Sequence, residues 1–246
     1  MKSWVAAALI AVSPLAVAHA QAPAQAPGEV TFIHAGRLLD NPGSAPRGPS
    51  TIVVRDGKVS EVRDGLVAPE AGAKLVDLSN AFVLPGLIDM HVHLLGIGGD
   101  PLRARLGRLN SEPQDEVLLG AGNARVTLEA GFTTVRDLGG DPRGIRALRD
   151  AVERGDVTGP TIVNAGAPIS VTGGHGDPLN GLAEPFAHAV AESVENTCDG
   201  PDDCRRAVRR QVGLGAQVIK FMATGGVLSN VSGGLGRAMQ PDEMKA

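Results

Sequence analysis

The chain has no tyrosine and one tryptophan, and aromatic residues make up only 2% of its 246 positions. Trp4 lies in an apolar N-terminal stretch, so the rest of the chain has only Phe32, Phe82, Phe132, Phe186 and Phe221 to pack. Its core must therefore be aliphatic, built from Val, Leu, Ile and Ala. An excess of basic charge is also missing: 23 Lys and Arg stand against 27 Asp and Glu, for a net charge of −4. The two signs are interspersed, which excludes the clustered basic face that nucleic-acid binding needs and leaves a small molecule as the expected partner. No segment after the N-terminus is apolar for long enough to span a bilayer.

The N-terminus itself reads as an export signal. Lys2 supplies positive charge, Val5 to Ala18 is almost wholly small or apolar, and Ala18-His19-Ala20 forms an A-x-A site, so cleavage is expected after Ala20. A membrane anchor would need about 20 apolar residues, and Ser13-Pro14 interrupts a run that is already shorter. A periplasmic or secreted location follows. Residues 21–28 (QAPAQAPG) then form a disordered linker with nothing to pack.

Cysteine is nearly absent too. Cys198 and Cys204 flank the turn-rich CDGPDDC stretch. In an oxidising compartment the favoured reading is a local disulfide stapling a loop to a helix start. A metal site is the weaker alternative, because no His or further Cys lies nearby.

What is present falls into two patterns. From Glu29 to Leu84 the chain is β: Val30–His34 is a short strand, and Thr51–Val62 is two strands joined by the hairpin dipeptide Asp56-Gly57. Ala73–Leu78 and Ala81–Leu84 add extended chain with Ser79-Asn80 as a turn. This is a small N-terminal β module, read as an incomplete β-sandwich over residues 29–84, too small to bury much alone.

After Pro85 strands and helices alternate. Strands are predicted at Leu87–His93, Phe132–Arg136, Pro160–Asn164 and Gln217–Phe221. Helices are predicted within Ser111–Ala130, over Gly144–Arg154, and over Pro201–Val212, with a long excursion before Gly200. Four such units predict a parallel sheet with covering helices, an α/β fold. Gln240–Ala246 reads as a helix start, with Pro241 early and Asp242 and Glu243 in its first turn. A one-turn helix is unstable in isolation, so a longer parent chain is expected.

The chemistry gathers at Pro85-Gly86-Leu87-Ile88-Asp89-Met90-His91-Val92-His93. On a strand, His91 and His93 share one face with Val92 opposed, and two neutral imidazoles so held can grip one metal ion. The bland alternative is one core histidine and one loop histidine. Strand-end histidines followed by βα units suggest a (β/α)8 barrel, whose ligands project from the C-terminal strand ends.

That segment resembles the first-strand signature of the amidohydrolase superfamily of metal-dependent hydrolases. Gly215 to Val227 (GAQVIKFMATGGV) resembles the family's fourth-strand segment, and Phe132 to Gly140 (FTTVRDLGG) and Ser170 to Asp177 (SVTGGHGD) are similar to its imidazolonepropionase-like and Xaa-Pro dipeptidase-like branch. The resemblance runs from Gly28 to the end. It implies the first four βα units of a partial TIM-type barrel over 85–246, and hydrolysis of a peptide-like or cyclic amide C–N bond, such as an Xaa-Pro dipeptide. It implies His91 and His93 as ligands of a divalent metal, zinc by donor type, and Lys220 as a carbamate bridging two metals. An amine withdrawn from water more readily loses its charge, and a neutral amine takes up carbon dioxide. The alternative for Lys220 is a packed stem with its amine in solvent.

His175 in Gly173-Gly174-His175-Gly176 is a substrate contact or an exposed loop histidine. Arg136 and Asp137 line the barrel mouth or form an ion pair. Gly225 and Gly226 let backbone approach a ligand or make a tight loop. His34 and His188 have no partner motif and read as structural or surface residues. The family's catalytic aspartate belongs to an eighth strand, and two more metal-binding histidines to the fifth and sixth; none of these has a counterpart in this sequence. No catalytic residue is therefore assigned, weak metal binding is expected, and self-association is the expected way to cover an open half-barrel. A fragment without activity is the alternative function. A phosphate-binding βα module using Gly225-Gly226 is the third reading, and no dinucleotide or Walker fingerprint supports it.

Overall fold

The computed structural model describes residues 29–98, 106–107, 110–227 and 234–246; the export signal and linker expected over residues 1–28 lie outside them. The chain divides into two compact units, one ending at Pro85 and the other running from Gly86 to Ala246.

In the first unit, β1 (Val30–Leu38), β2 (Ser50–Arg55), β3 (Lys58–Asp64) and β4 (Lys74–Val83) form one sheet in the order β3-β2-β1-β4. The hairpin between β2 and β3 turns at Asp56 (φ 51°) and Gly57 (φ 73°), the pair of positive φ values a tight right-twisted hairpin demands. β1 runs antiparallel to β2 and parallel to β4. Ala35, Leu38 and Ile52 are buried, with Ile33, Val54, Val62 and Val83 packed against them.

Two expectations for this unit are corrected. A single mixed sheet stands where an incomplete sandwich was expected; no second sheet occurs here among the described residues. Ser79-Asn80 is not a turn either: β4 passes straight through it and bulges, since Ala35 pairs with Leu78 and Arg37 with Phe82. Gly36 permits this, because a Cβ there would collide with the Ser79 carbonyl oxygen. Asp77 Oδ1 fixes the bend by accepting from Ser79 N at 2.9 Å.

The second unit is a βα succession of β5 (Leu87–Val92), α1 (Pro113–Glu129), β6 (Phe132–Asp137), α2 (Pro142–Glu153) and β7 (Thr161–Asn164). After it come α3 (Glu184–Val190), a 3-10 turn (Ala191–Ser193), α4 (Pro201–Gly213) and α5 (Pro241–Lys245). The helix starts follow from their first residues. At α1, Glu112 and Asp115 form a capping box ahead of Pro113, and at α2 Asp141 Oδ1 accepts from Gly144 N at 2.6 Å. That cap starts α2 at Pro142, two residues before the predicted Gly144. Among the described residues no helix is long and apolar enough to cross a membrane.

Strands β5, β6 and β7 are parallel in that order. One face of the sheet packs on α1 and α2 through Leu94, Leu95, Ala124, Val135, Ile145, Leu148 and Ile162, all buried. A second core joins Ile169, Cys198, Cys204, Ala207 and Met239. Cys198 and Cys204 are linked by a disulfide with Cα atoms 4.7 Å apart.

The predicted fourth strand, Gln217–Phe221, does not form a ladder: it makes one parallel bridge, Ile169 to Phe221. The reason lies in its neighbour. β7 ends at Asn164, after which Gly166 turns to φ 66° and Pro168 offers no N–H. Pairing resumes only at Ile169, whose N donates to Lys220 O and whose O accepts from Met222 N, each at 2.8 Å. The sheet therefore has three full strands and a tethered fourth segment, with no closed barrel among the described residues.

Candidate metal centre

The alternation of β5 sets the two imidazoles. Val92 packs into the core against the helices, so His91 and His93 emerge on the opposite face. Their ring centroids are 5.3 Å apart in an edge-to-face arrangement. His93 Nδ1 lies 2.8 Å from Gly139 O. A carbonyl can only accept, so Nδ1 carries the proton and a neutral His93 presents its Nε2 lone pair outward. His91 is held by its backbone, which donates to Asp89 Oδ1 at 3.0 Å.

Electrostatics on this face favour a neutral His91. Partial loss of water lowers its pKa most, and the positive charges of Lys220, His93 and Arg136 lower it further, against Asp89. Lys220 therefore acts on the same face as His91. Ile219, its chain neighbour, packs the other way into the second core. Arg136 Nε donates to Met90 O at 2.8 Å, and among the described residues it makes no ion pair with Asp137; that alternative is corrected.

Asp137 points to the helix side and is fully buried. Its Oδ2 accepts from Leu94 N at 2.7 Å and its Oδ1 from Gly139 N at 3.1 Å. Burial pushes its pKa up, and the two backbone bonds with the nearby His93 and His91 pull against that. Sequence reasoning placed Asp137 at the barrel mouth and missed this role. The available signal was the Asp137–Gly139 spacing, since an Asp side chain commonly accepts from the amide two residues on.

His175 is half-buried rather than an exposed loop histidine, and its Nδ1 is buried with no hydrogen-bond partner. Its ring lies against Gly226, where a Cβ would stand 2.6 Å from Nε2. The glycine thus admits an imidazole, not a ligand. Gly225 N donates to Gly236 O at 3.0 Å, so that amide serves the loop. His34 Nε2 meets Val67 O at 2.8 Å, and His188 sits exposed near Glu184.

Among the described residues no three His, Cys, Asp or Glu side chains gather where they could hold a metal. The two imidazoles therefore need Lys220 as a third donor. A cavity of about 280 Å³ lined by Asp141, Arg143, Glu195 and Asn196 includes none of His91, His93 and Lys220, so the donor chemistry, not the cavity, locates the centre.

Comparison with known proteins agrees with this arrangement. The family model described as "Amidohydrolase family" matches residues 82–246. Ochratoxinase of Aspergillus niger is 30% identical over 229 residues, covering 88% of this chain and 47% of that protein. A crystal structure of a Xaa-Pro dipeptidase with bound methionine in its active site superposes with a TM-score of 0.79 at 35% identity, covering 87% of this chain and 52% of that one. A prolidase complexed with N-methylphosphonate-L-proline gives a TM-score of 0.72 at 32% identity, covering 88% and 52%. The chain spans about half the length of the relatives it matches.

Proposed function

The chain belongs to the amidohydrolase family, and from that premise we propose that it carries the first metal-binding elements of an exported metal-dependent hydrolase of peptide-like C–N bonds. The observation that carries the reading is the pair of imidazoles, His91 and His93, on one face of the strand near the start of the matched segment. The donor set suits a divalent metal, and zinc among the common ones: His93 offers Nε2, His91 is favoured neutral, and Lys220 acts on the same face.

In this reading the Lys220 amine adds to carbon dioxide, its nitrogen lone pair forming the N–C bond and one N–H proton passing to water. The resulting carbamate supplies the anionic oxygen that the pair lacks. A bound metal supplies Lewis acidity to the scissile carbonyl and to the attacking water. Arg136, whose charge reaches His91, holds the carboxylate of an Xaa-Pro dipeptide. His175 contacts the substrate from the loop beyond β7. The substrate class rests on the dipeptidase and prolidase relatives. The export signal places the protein in the periplasm or outside the cell.

A second reading, a fragment without activity, is favoured by one observation: the relatives are about twice as long. Metal analysis and hydrolysis of an Xaa-Pro dipeptide panel by the full chain separate the two. Stoichiometric zinc with turnover abolished in His91→Ala supports the enzyme. Absence of both zinc and turnover supports the fragment.

A further inference from the structure

The backbone ladder between β5 and β6 ends at one bond, from Leu138 N to Val92 O at 3.0 Å. His93 lies one residue beyond that bond, so main-chain pairing no longer fixes it. A closed ring of hydrogen bonds takes over. Asp137 Oδ2 holds Leu94 N at 2.7 Å, Asp137 Oδ1 holds Gly139 N at 3.1 Å, and Gly139 O takes the His93 Nδ1 proton at 2.8 Å. Leu94 is pinned from its other end by Asn123 Nδ2, which donates to Leu94 O at 2.7 Å.

From this ring we infer that Asp137 is a positioning residue for His93, fixing the ring orientation and the Nδ1–H tautomer that leaves Nε2 free for a ligand. Only a carboxylate fits the task. It accepts from two amides at once and brings no hydrogen of its own, whereas Asn or Ser would set a donor against one of the amides. The position must also be fully buried, as it is, because water would compete for both amides. Gly139 has its own constraint: a Cβ there would stand 3.2 Å from His93 Cε1 and 3.3 Å from Pro168 Cδ, so the carbonyl can come this close to the ring only from a residue with no side chain.

The metal half of the inference rests on the function proposed above; the tautomer half does not. Asp137→Asn is compared with Val208→Ala, which trims the second core and serves as a control for lost stability alone. In the metal-free full chain, nitrogen NMR of the imidazoles reads the tautomer of His93 directly. The wild type is expected to show His93 held as Nδ1–H, and Asp137→Asn a mixture of both tautomers. Zinc affinity, measured by competition with a chromophoric chelator, should fall about 10- to 100-fold in Asp137→Asn, while Val208→Ala lowers the melting temperature and changes neither readout.

A folded Asp137→Asn protein with His93 still wholly Nδ1–H overturns the inference. So does a Val208→Ala protein that shifts the tautomer as much. If the wild type binds no zinc, the proposed metal function falls, and the tautomer comparison still decides the role of Asp137. If Asp137→Asn does not fold, the wild type decides alone: NMR couplings from the Leu94 and Gly139 amides to the Asp137 carboxylate support the ring, and their absence refutes it.

Discussion

Replacing both Cys198 and Cys204 by alanine should destabilise the second unit by about 3 kcal/mol. The bridge spans a sequence separation of 6. Closing so short a loop removes roughly 2 kcal/mol of unfolded-chain entropy in the loop-entropy account. Both sulfurs are also buried, Cys198 at 0% and Cys204 at 2% exposure, among Ile169, Ala207 and Met239, and deleting them adds roughly 1 kcal/mol for lost contacts. The described helices all lie in this unit, so far-ultraviolet circular dichroism follows its unfolding. With a urea slope of about 2 kcal/mol per molar, the midpoint should drop by roughly 1.5 M. Reduced wild-type protein, keeping its sulfurs, should fall about 1 M. The loss should reach beyond the loop, because Cys198 N donates to Ser170 O at 2.8 Å and Gly200 N to Glu243 Oε1 at 2.8 Å. Amides of the His175 loop and of α5 should therefore exchange faster. Coincident midpoints for oxidised wild type, reduced wild type and the variant would refute the reasoning, since the bridge would then restrict nothing the fold does not already restrict.

Ile145→Ala, at a side chain with no exposure, should cost about 2–5 kcal/mol by denaturant titration, whereas Leu118→Ala, at 72% exposure, should change stability by less than about 0.5 kcal/mol. Gly36→Ala sets a Cβ against backbone, the Ser79 carbonyl, and should cost about 1–3 kcal/mol, seen as faster amide exchange across β1 and β4. Acid should weaken the fold. Asp150, Glu195 and Asp203 have pKa values lowered chiefly by hydrogen bonds from Arg149, Arg210 and Arg206. Their contribution is present above the ordinary carboxylate values of 3.8 and 4.5 and is lost as pH falls through the lowered folded values. Asp137 works the other way, its raised pKa favouring the fold slightly as it protonates. Because the paired groups are largely exposed, the net acid loss should be small and should shrink in high salt; an increase in stability below pH 3.8 would contradict the signs assigned here.

The second unit was legible where local chemistry decides structure. Glu112, Pro113 and Asp115 mark the start of α1 and Gly131 its end, and each acts on its own few neighbours. The same holds for Asp56-Gly57. Ser79-Asn80 was misread because the deciding residue, Gly36, lies over forty positions away and matters only once β1 and β4 are paired. The Gln217–Phe221 stretch has a strand's composition, yet a strand needs an unbroken partner, and Gly166 with Pro168 breaks it. At the site, the common face of His91 and His93 follows from the two-residue period of a strand. The work of Asp137 does not, because it depends on which amides the fold leaves without a ladder partner.

Both halves of the candidate centre sit where backbone pairing has run out, and in each case side chains from the helix layer replace it. For His93 these are Asp137 and Asn123. For Lys220 they are Asn164, Gln217 and Arg149. Asn164 O accepts from Gln217 N at 2.8 Å, while Arg149 Nη1 donates to Asn164 Oδ1 at 2.8 Å and to Gly215 O at 2.9 Å. Arg149 thus ties the last residue of β7 to the turn that leads into the Lys220 segment. Ladder geometry would impose the regular spacing of a sheet on every residue it paired. Side-chain tethers hold chosen atoms and leave the intervening backbone free to turn its functional groups inward. That freedom has an energetic counterpart: the amides of Asn164 and Gln211 are fully buried, and each leaves its NH2 nitrogen without a partner, at a typical cost of about 1–3 kcal/mol for such a group. The unit carries this cost in the layer behind the sheet, next to the tethers that aim Lys220, rather than on the face that bears the imidazoles.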